Sequence, residues 1–208
     1  MTRVLIIDSA ATGDASVSRK LTREIAERLS DRDPAAHIVR RDIGASPIPH
    51  LTAETVGAIR GVARTEAERG ALALSDALIA EAKEADLIVI GAPMYNFGMA
   101  STLKSWFDHV LRAGATFRYT EAGPEGLVKG KKAVVIETRA GLYSEGPAAV
   151  MDNQEPHIRT LLGFMGITDV TFVRAEKLAF GPEAAAAAIA DAVEQLAGLA
   201  DIRLPLAA

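Results

Sequence analysis

The sequence predicts an α/β protein in which helices cover both faces of a five-stranded parallel sheet. Three observations lead to this prediction: short apolar runs of strand length recur, amphipathic or alanine-rich segments separate them, and polar or aromatic loops follow them. Strands that alternate with helices favour parallel pairing with right-handed crossovers. Because 208 residues suffice for one sizeable core, we predict a single domain spanning residues 1–208.

The first part of the chain contains two predicted strands and the helix between them. Residues 4–7 form a run of Val, Leu and Ile, which is typical of a strand buried on both faces. Apolar residues at helical spacing then predict a helix over residues 18–30. Residues 37–42 are the second predicted strand, which Gly and Pro residues terminate. Residues 51–70 show weak periodicity, and we interpret them as an excursion with some helix over the sheet edge.

The third predicted strand, residues 87–90, has helical patterns on both sides. A helix is predicted over residues 71–84 before it, and an amphipathic helix follows it. The apolar face of this second helix consists of Leu103, Trp106, Phe107, Val110 and Leu111. We expect Trp106 and Phe107 to belong to the core rather than to a binding site.

Two more strands complete the predicted sheet, at residues 133–136 and 170–173. A turn is expected at residues 123–126. A helix over residues 150–164 is also expected, with one face formed by Val150, Ile158, Leu161 and Leu162. Pro182 begins an alanine-rich C-terminal helix. Five strands with a binding loop after the third match the flavodoxin-like order 2-1-3-4-5, in a three-layer sandwich.

Composition excludes several classes of function. The net charge of −4 provides no basic field for nucleic acid or for an anionic membrane surface. The absence of cysteine removes disulfides, thiolate nucleophiles and thiolate-bound metals, and the scattered histidines predict no metal site. No apolar stretch approaches the roughly 20 residues of a membrane span, and no signal peptide is visible. We therefore expect a cytoplasmic protein.

An aromatic loop follows the third predicted strand. It contains Met94, Tyr95, Asn96 and Phe97, between a proline and a glycine. Ligands of open parallel sheets bind beyond the carboxyl ends of the strands, where this loop is expected. Flat apolar side chains beside an amide suit a planar ring with polar edges better than a phosphate. The alternative is that the residues form a packed connecting loop.

A serine-containing loop follows the first predicted strand. Ser9 lies just after the strand, and Ser16, Val17 and Ser18 lie where the first helix begins. Unpaired amides and the positive end of the helix dipole favour an anion there, and the hydroxyls add donors. Ser16 or Ser18 as an ordinary N-cap is the alternative, and both roles are compatible. The patterns G-x-x-x-x-G-K-[ST] and G-x-G-x-x-G are missing, which argues against ATP hydrolysis and a Rossmann-bound dinucleotide.

A third loop follows the fourth predicted strand at the same edge of the sheet. It contains Thr138, Arg139, Ala140 and Gly141. The small residues allow backbone amides to approach a ligand closely. These amides, or Arg139, could stabilise negative charge on an electron-accepting ring. The alternative is a surface turn in which Arg139 is solvated.

These motifs resemble those of the FMN-dependent NADH-azoreductases, also described as FMN-dependent NADH:quinone oxidoreductases and once labelled acyl carrier protein phosphodiesterases. The resemblance extends from Val4 to about Glu183. The segments that carry it are residues 92–97 (Ala-Pro-Met-Tyr-Asn-Phe), 112–120 (Arg-Ala-Gly-Ala-Thr-Phe-Arg-Tyr-Thr), 123–127 (Gly-Pro-Glu-Gly-Leu) and 162–167 (Leu-Gly-Phe-Met-Gly-Ile).

The resemblance implies a role for each loop. It implies that the FMN phosphate is held by Ser9, Ser16, Val17 and Ser18. It implies that the isoalloxazine is contacted by Met94, Tyr95, Asn96 and Phe97, with its pyrimidine side flanked by Thr138, Arg139, Ala140 and Gly141. The substrate pocket is expected to include Phe97, Tyr119 and Phe164, and a homodimer is expected to be the active unit.

Two positions depart from the family pattern. Family members often have a second serine where this chain has Ala10, so one hydroxyl to the phosphate is lost. The third loop often reads Ser-Arg-Gly-Gly, whereas this chain has Thr138 and Ala140. Alanine does not readily adopt a positive φ, so a slightly different turn is expected. Neither change threatens FMN binding as such.

The leading hypothesis is a flavoenzyme that takes hydride from NADH and reduces quinones or azo compounds by two electrons in a ping-pong mechanism. The flavin carries this chemistry, so no side chain is predicted to be a catalytic nucleophile. The alternative is a flavodoxin-type electron carrier, although such carriers tend to be more acidic. A phosphodiesterase has little support, because neither a metal cluster nor a nucleophile–base pair is visible.

Overall fold

The computed structural model describes residues 2–200, and these residues form eight strands and six α-helices. The strands are β1 (Arg3–Asp8), β2 (His37–Asp42), β3 (Leu87–Tyr95), β4 (Gly98–Met99), β5 (Phe117–Thr120), β6 (Gly123–Gly126), β7 (Lys132–Thr138) and β8 (Asp169–Ala175). The helices are α1 (Val17–Arg32), α2 (Val56–Arg60), α3 (Glu66–Glu84), α4 (Ser101–Val110), α5 (Glu155–Met165) and α6 (Pro182–Ala200). Short 3₁₀ helices lie at Gly13–Ala15 and Pro147–Met151.

The central sheet has the strand order β2-β1-β3-β7-β8, and all neighbouring pairs along this path are parallel. The predicted flavodoxin-like order 2-1-3-4-5 is therefore confirmed. Strand β4 adds a short antiparallel pair to the end of β3, and β5 pairs with β6 in a separate hairpin. The predicted single domain of residues 1–208 includes Met1 and residues 201–208, which lie outside the described residues.

Alternate side chains of the buried strands enter two separate cores. On one face, Leu5 and Ile90 pack with helices α3, α4 and α5, and on the other face, Ile6 and Val89 pack with α1 and α6. Trp106 belongs to the first core, as predicted, and is fully buried. Because both faces are covered, the strands read as continuous apolar runs rather than as alternating ones. Among residues 2–200, none of the helices combines the length and apolarity that a membrane crossing requires.

The structure corrects several predicted boundaries. Strand β3 continues to Tyr95, five residues beyond the predicted end, so part of the aromatic loop is strand. The predicted turn at residues 123–126 is strand β6. Val150 is 88% exposed in a 3₁₀ helix and does not share a face with the residues of α5, which begins at Glu155. Proline at position 156 suits the first turn of a helix, which explains the later start.

Residues 51–70 contain helix α2 and the first turn of α3, in agreement with the interpretation of an excursion with some helix. Helix α3 begins five residues before the predicted position 71. Its start is fixed by a capping box, in which the Thr65 side chain accepts from the Glu68 amide and Glu68 accepts from the Thr65 amide. This local signal is stronger than the weak apolar periodicity of the first turn.

Candidate functional site

Three loops meet at the carboxyl edge of the sheet because β3 lies between β1 and β7. Asp8 is aligned with Gly91, and Pro93 is aligned with Thr138, so the segments that follow these strands begin side by side. The loop after β1 contacts the next segment through the Ala11 amide, which donates to the Tyr95 hydroxyl at 3.2 Å. The predicted ligand-binding loops are thus neighbours in space.

Ser16 is the N-cap of α1, as the alternative interpretation predicted. Its hydroxyl oxygen accepts from the Arg19 amide at 3.3 Å and lies 2.9 Å from the Ser18 hydroxyl. Within residues 2–200, the amides of Val17 and Ser18 have no hydrogen-bond acceptor. The first turn therefore combines two unpaired amides, the helix dipole and two adjoining hydroxyls, which together suit an anion.

Ser9 is engaged by the protein itself. Its hydroxyl donates to the Gly91 carbonyl at 2.7 Å, its amide is bonded to the same oxygen, and its carbonyl accepts from the Thr102 hydroxyl at 2.8 Å. The side chain is fully buried. In this arrangement Ser9 connects β1 to β3 and α4, and the one proton of its hydroxyl group is already donated to Gly91. A contact between the Ser9 hydroxyl and a phosphate stays a prediction, and it requires that proton to leave Gly91.

The path of the first loop also depends on Gly44. Gly44 donates its amide to the Asp8 carbonyl, and a Cβ at this glycine would lie 2.1 Å from the Ala10 carbonyl oxygen. Only glycine permits this close approach of two backbones. Ala10 is 1% exposed, so this position, at which the resemblance led us to expect the loss of one phosphate hydroxyl, is enclosed by protein.

The aromatic segment is a tight hairpin rather than an open loop. Met94 is paired with Met99 and Tyr95 with Gly98, which leaves Asn96 and Phe97 as a two-residue turn. Asn96 has φ +47° and Phe97 has φ +69°, and positive φ at both central positions is typical of a type I′ turn. Phenylalanine is uncommon in this conformation, and such strain clusters at functional sites.

This hairpin presents aromatic surface. Tyr95 is 37% exposed and Phe97 is 39% exposed, so part of each ring is open to a ligand. The Phe97 ring contacts Tyr143 edge to face, with 6.0 Å between the ring centroids. Tyr143 follows the loop after β7, so this contact links the hairpin to the third predicted loop.

The loop after β7 offers backbone amides. Within residues 2–200, the amides of Ala140 and Gly141 have no acceptor, whereas the carbonyls of both residues accept from the segment after β8. Ala140 has no positive φ, so alanine fits this turn without strain. A Cβ at Gly141 would lie 3.0 Å from the Tyr143 ring, which shows how closely that ring covers the loop.

Arg139 is not the solvated residue of the surface-turn interpretation, because its side chain is 0% exposed. Its guanidinium lies 2.6 Å from Glu137, 3.0 Å from Asp152 and 3.1 Å from Glu176. Its Nε donates to the Gln154 side-chain oxygen at 3.1 Å. All three nitrogens of the Arg139 side chain are therefore bonded within the protein.

The buried charges shift one another's protonation. Burial raises the pKa of Glu137 to about 8; Arg139 opposes this shift, while Glu155 and Asp152 add to it. Burial alone would lower the pKa of Arg139, but the surrounding carboxylates raise it overall, Glu137 most strongly. Burial would raise the pKa of Glu176, yet the Ser144 hydroxyl, the Tyr143 amide and Arg139 lower it.

Several of these residues were not identified from the sequence. They are Glu137, Tyr143, Asp152, Gln154 and Glu176. Glu137 offered one signal, since a carboxylate directly after a buried apolar run requires a buried partner. The other four lie in irregular segments or at a strand end, where no periodic pattern marks them.

The predicted substrate-pocket residues fall into two groups. Tyr119, which is 74% exposed, contacts Phe117 at 5.5 Å, and Phe117 contacts Phe164 at 4.6 Å, measured between ring centroids. Phe97 pairs with Tyr143 instead, and among residues 2–200 no ring contact joins it to the other group. The structure thus brings Tyr119 and Phe164 into one aromatic row but does not connect that row to Phe97.

Comparison with known proteins supports the family resemblance that the sequence motifs show. A family model described as flavodoxin-like fold matches residues 2–199. A protein of Hyphomonas neptunium named FMN-dependent NADH:quinone oxidoreductase is 56% identical over 200 residues, which are 96% of this chain and 96% of that protein.

Solved structures agree as well. The crystal structure of azoreductase from Bacillus anthracis strain Sterne matches with a TM-score of 0.89 at 30% identity, covering 97% of this chain and 99% of that chain. An FMN-dependent NADH-azoreductase from Bacillus anthracis strain Ames Ancestor, in complex with FMN, matches with a TM-score of 0.85 at 25% identity, covering 97% and 100%. The resemblance noted in the motifs is confirmed, and this flavodoxin-like chain belongs to the family of FMN-dependent NADH:quinone oxidoreductases and azoreductases.

Proposed function

We propose that this protein is an oxidoreductase that binds FMN at the carboxyl edge of its sheet, accepts hydride from NADH and reduces quinones and azo compounds by two electrons. The names of its relatives support the cofactor, the donor and the acceptor class. The observation that carries the proposal is the convergence of the α1 N-terminus, the aromatic hairpin and the amide-bearing loop after β7 at one edge.

The first turn of α1 fits a phosphate. The unpaired amides of Val17 and Ser18 and the hydroxyls of Ser16 and Ser18 are donors, and a phosphate dianion requires several of them. The departure at Ala10 leaves this set intact. FMN has one phosphate, so a single anion site of this kind fits FMN rather than FAD.

The two remaining loops fit a planar ring. Met94, Tyr95, Asn96 and Phe97 would contact the isoalloxazine, and Tyr95 and Phe97 have the exposed aromatic surface for it. Thr138 and the amides of Ala140 and Gly141 would face its pyrimidine side, with Arg139 held behind them by its ion pairs. When bound, FMN supplies the hydride and two-electron chemistry, so the protein needs no nucleophile of its own.

We further propose a ping-pong order, in which NADH and the acceptor occupy the same place in turn. A flavin held against a sheet edge by loops on both sides offers one open face to both substrates. Initial rates at several fixed NADH concentrations would then give parallel double-reciprocal lines. Intersecting lines together with a detectable ternary complex would contradict a shared place.

We also propose a homodimer in which the partner chain completes the site. Tyr119 and Phe180 are 74% and 63% exposed, and aromatic residues are enriched in protein interfaces. A flavin at an exposed sheet edge benefits from a cover that excludes water. The cytoplasmic location expected from the sequence stays a prediction.

The visible spectrum of the purified protein tests the central proposal. After reconstitution with FMN we expect a bound flavin spectrum, which NADH bleaches and benzoquinone restores. Heat release and chromatography identify the cofactor of the protein as purified. FAD as the main released flavin, or no flavin after reconstitution, would contradict the proposal.

A further inference from the structure

The segment of residues 152–154, here called the bridging segment, lies between the aromatic hairpin and the loop after β7. It follows the exposed 3₁₀ helix Pro147–Met151 and leads into α5. We call the aromatic hairpin and the loop after β7 the two ring-facing segments. We propose, on the basis of the function proposed above, that Gln154 is a positioning residue, which fixes these two segments at the separation that FMN requires.

The side-chain amide of Gln154 bonds to both ring-facing segments at once. Its Nε2 donates to the Ala92 carbonyl at 2.8 Å, two residues before Met94 in strand β3. Its Oε1 accepts from the Arg139 Nε at 3.1 Å, directly after Thr138. Because a primary amide has a donor and an acceptor on opposite atoms, one side chain spans both segments.

The neighbours of Gln154 in the bridging segment reinforce the same connection. The Asn153 amide donates to the Phe97 carbonyl at 3.0 Å and so holds the tip of the aromatic hairpin. Asp152 lies 3.0 Å from the Arg139 guanidinium, and its carboxylate also accepts from the backbone amide of Gln154 at 2.9 Å. Three consecutive residues therefore contact one ring-facing segment or both.

The side chains that make these contacts are buried, so the loss of a hydrogen bond between them is costly. Gln154 and Arg139 are both 0% exposed, so water cannot replace a lost hydrogen bond to either. A buried polar group that loses its partner bears its full desolvation cost. The geometry at the bridging segment is accordingly well determined, as a preorganised binding site needs it to be.

A purely structural residue would stabilise the fold without affecting the flavin, and replacement by methionine separates the two roles. Gln154→Met keeps the side-chain length but removes both hydrogen bonds. We expect the apoprotein variant to bind FMN about tenfold more weakly in a fluorescence titration, the effect of one buried hydrogen bond. The visible circular dichroism of its bound FMN should also differ from that of the wild type, because the ring environment changes.

Ser75→Ala is the matched control. The Ser75 hydroxyl is likewise buried and donates to a backbone carbonyl, that of His109 at 2.6 Å, near the C-terminal end of α4 and away from the carboxyl edge. We expect this variant to lower the melting temperature of the apoprotein while FMN affinity and the dichroism of bound FMN stay at wild-type values. If Gln154→Met also kept the wild-type FMN affinity and the wild-type dichroism of bound FMN, the proposal would be overturned.

Hydrogen exchange of the wild-type protein provides a test that needs no variant. FMN should slow exchange of the Asn153 amide together with that of the hairpin amides, although Asn153 is not among the residues predicted to touch FMN. Slower exchange in the ring-facing segments alone would overturn the proposal. A wild-type protein that binds no FMN would contradict the proposed function itself, whereas wild-type affinity in Gln154→Met contradicts only the role of Gln154.

Discussion

At the scale of single residues, Arg139 is a buried charge that lies directly beside the amides of the third predicted ligand-binding loop. Its guanidinium is fully buried among Glu137, Asp152 and Glu176. Buried charges of this kind are tolerated only when they are paired and hydrogen-bonded, and removal of one partner is strongly destabilising. The loop after β7 thereby gains a fixed anchor directly beside the amides that it offers.

Glu137 should make the stability of the protein depend on pH. Its pKa is raised by burial from 4.5 to about 8, so between these values the folded chain holds a proton that the unfolded chain lacks. The free energy of unfolding of the wild type therefore decreases as pH rises through this window, by at most about 1.4 kcal/mol per pH unit from this group. Glu137→Gln removes this contribution, and urea denaturation at several pH values measures it.

We expect Glu137→Gln to become steadily more stable relative to the wild type from about pH 5 to about pH 8. Glu155 and Glu176 have lowered pKa values, so their contributions are lost at more acidic pH and affect both proteins alike. Glu84→Gln, at an exposed position on α3, serves as the control. Parallel stability curves for wild type and Glu137→Gln would contradict the raised pKa.

Ser16 and Ser18 have a structural role and a predicted ligand role, which can be separated. The Ser16→Ala/Ser18→Ala variant should lose a cap worth about 1 kcal/mol of stability. It should also bind FMN at least tenfold more weakly, because a hydrogen bond to a charged group is worth about 1.5–3 kcal/mol. Thermal melting of the apoprotein and an FMN titration measure the two effects.

Thr65→Ala is the matched control for this variant, since Thr65 caps α3 through its side chain in the same way. We expect a similar loss of stability from it with unchanged FMN affinity. If the double serine variant also kept its FMN affinity, the two serines would act only at the helix terminus.

At the scale of elements, the β3–β4 hairpin is where local preference and observed conformation disagree. Type I′ turns prefer Asn-Gly, and this chain has Asn96 followed by Phe97. A left-handed conformation costs a non-glycine residue about 1–2 kcal/mol. The surrounding structure holds it in place through the Asn153 amide and the Tyr143 ring. The strained aromatic residue lies where a flat ligand is predicted to bind.

Two substitutions of Phe97 isolate this strain. Phe97→Gly and Phe97→Ala both remove the ring, but only glycine accepts a φ of +69° without cost. We expect the glycine variant to be more stable than the alanine variant by about 1 kcal/mol, the reverse of their usual order. Urea denaturation of the two apoproteins gives the difference. Equal stability would show that the turn stores no strain at this position.

At the scale of the whole molecule, the direction of the parallel strands determines which loops lie together. The strands β1, β3 and β7 are adjacent and point the same way, so the three loops that follow them share one edge. Both faces of the sheet are covered by helices, which leaves this edge as the place where loop residues are free to contact a ligand. The exposed aromatic residue Tyr119 stands on a separate hairpin, from which it could reach a neighbouring molecule.

The proposed homodimer predicts a measurable mass and a measurable defect. Sedimentation of the FMN-loaded protein should give twice the 21.9 kDa of one chain. Tyr119→Ala should reduce turnover with benzoquinone, because the ring would line the site of the partner chain. Val62→Ala, at a position 78% exposed, is a control that should keep full turnover. An active monomer at micromolar concentration would contradict the shared site.

The sequence by itself determined the fold and the position of the three loops. Apolar runs of strand length marked β1, β3, β7 and β8, whereas the edge strand β2 has only a short apolar pair and no buried residue. The alternation of strands with helices led to the order that the structure has. Residues 51–70 have weak periodicity, but the spacing of Thr65 and Glu68 is that of a capping box and marks the start of α3. These features depend on neighbours along the chain, which is why local patterns were sufficient to predict them.

Only the tertiary structure decided which partners the loop side chains bind within the protein. Ser9 donates to Gly91, 82 residues away, and Gln154 donates to Ala92, 62 residues away. From the sequence, Arg139 could either face a ligand or be solvated. The structure buries it instead, and Glu176, 37 residues away, is among its partners. Hydrogen bonds and ion pairs of this range depend on which strands become neighbours, and single residues in irregular segments leave no periodic signal of them.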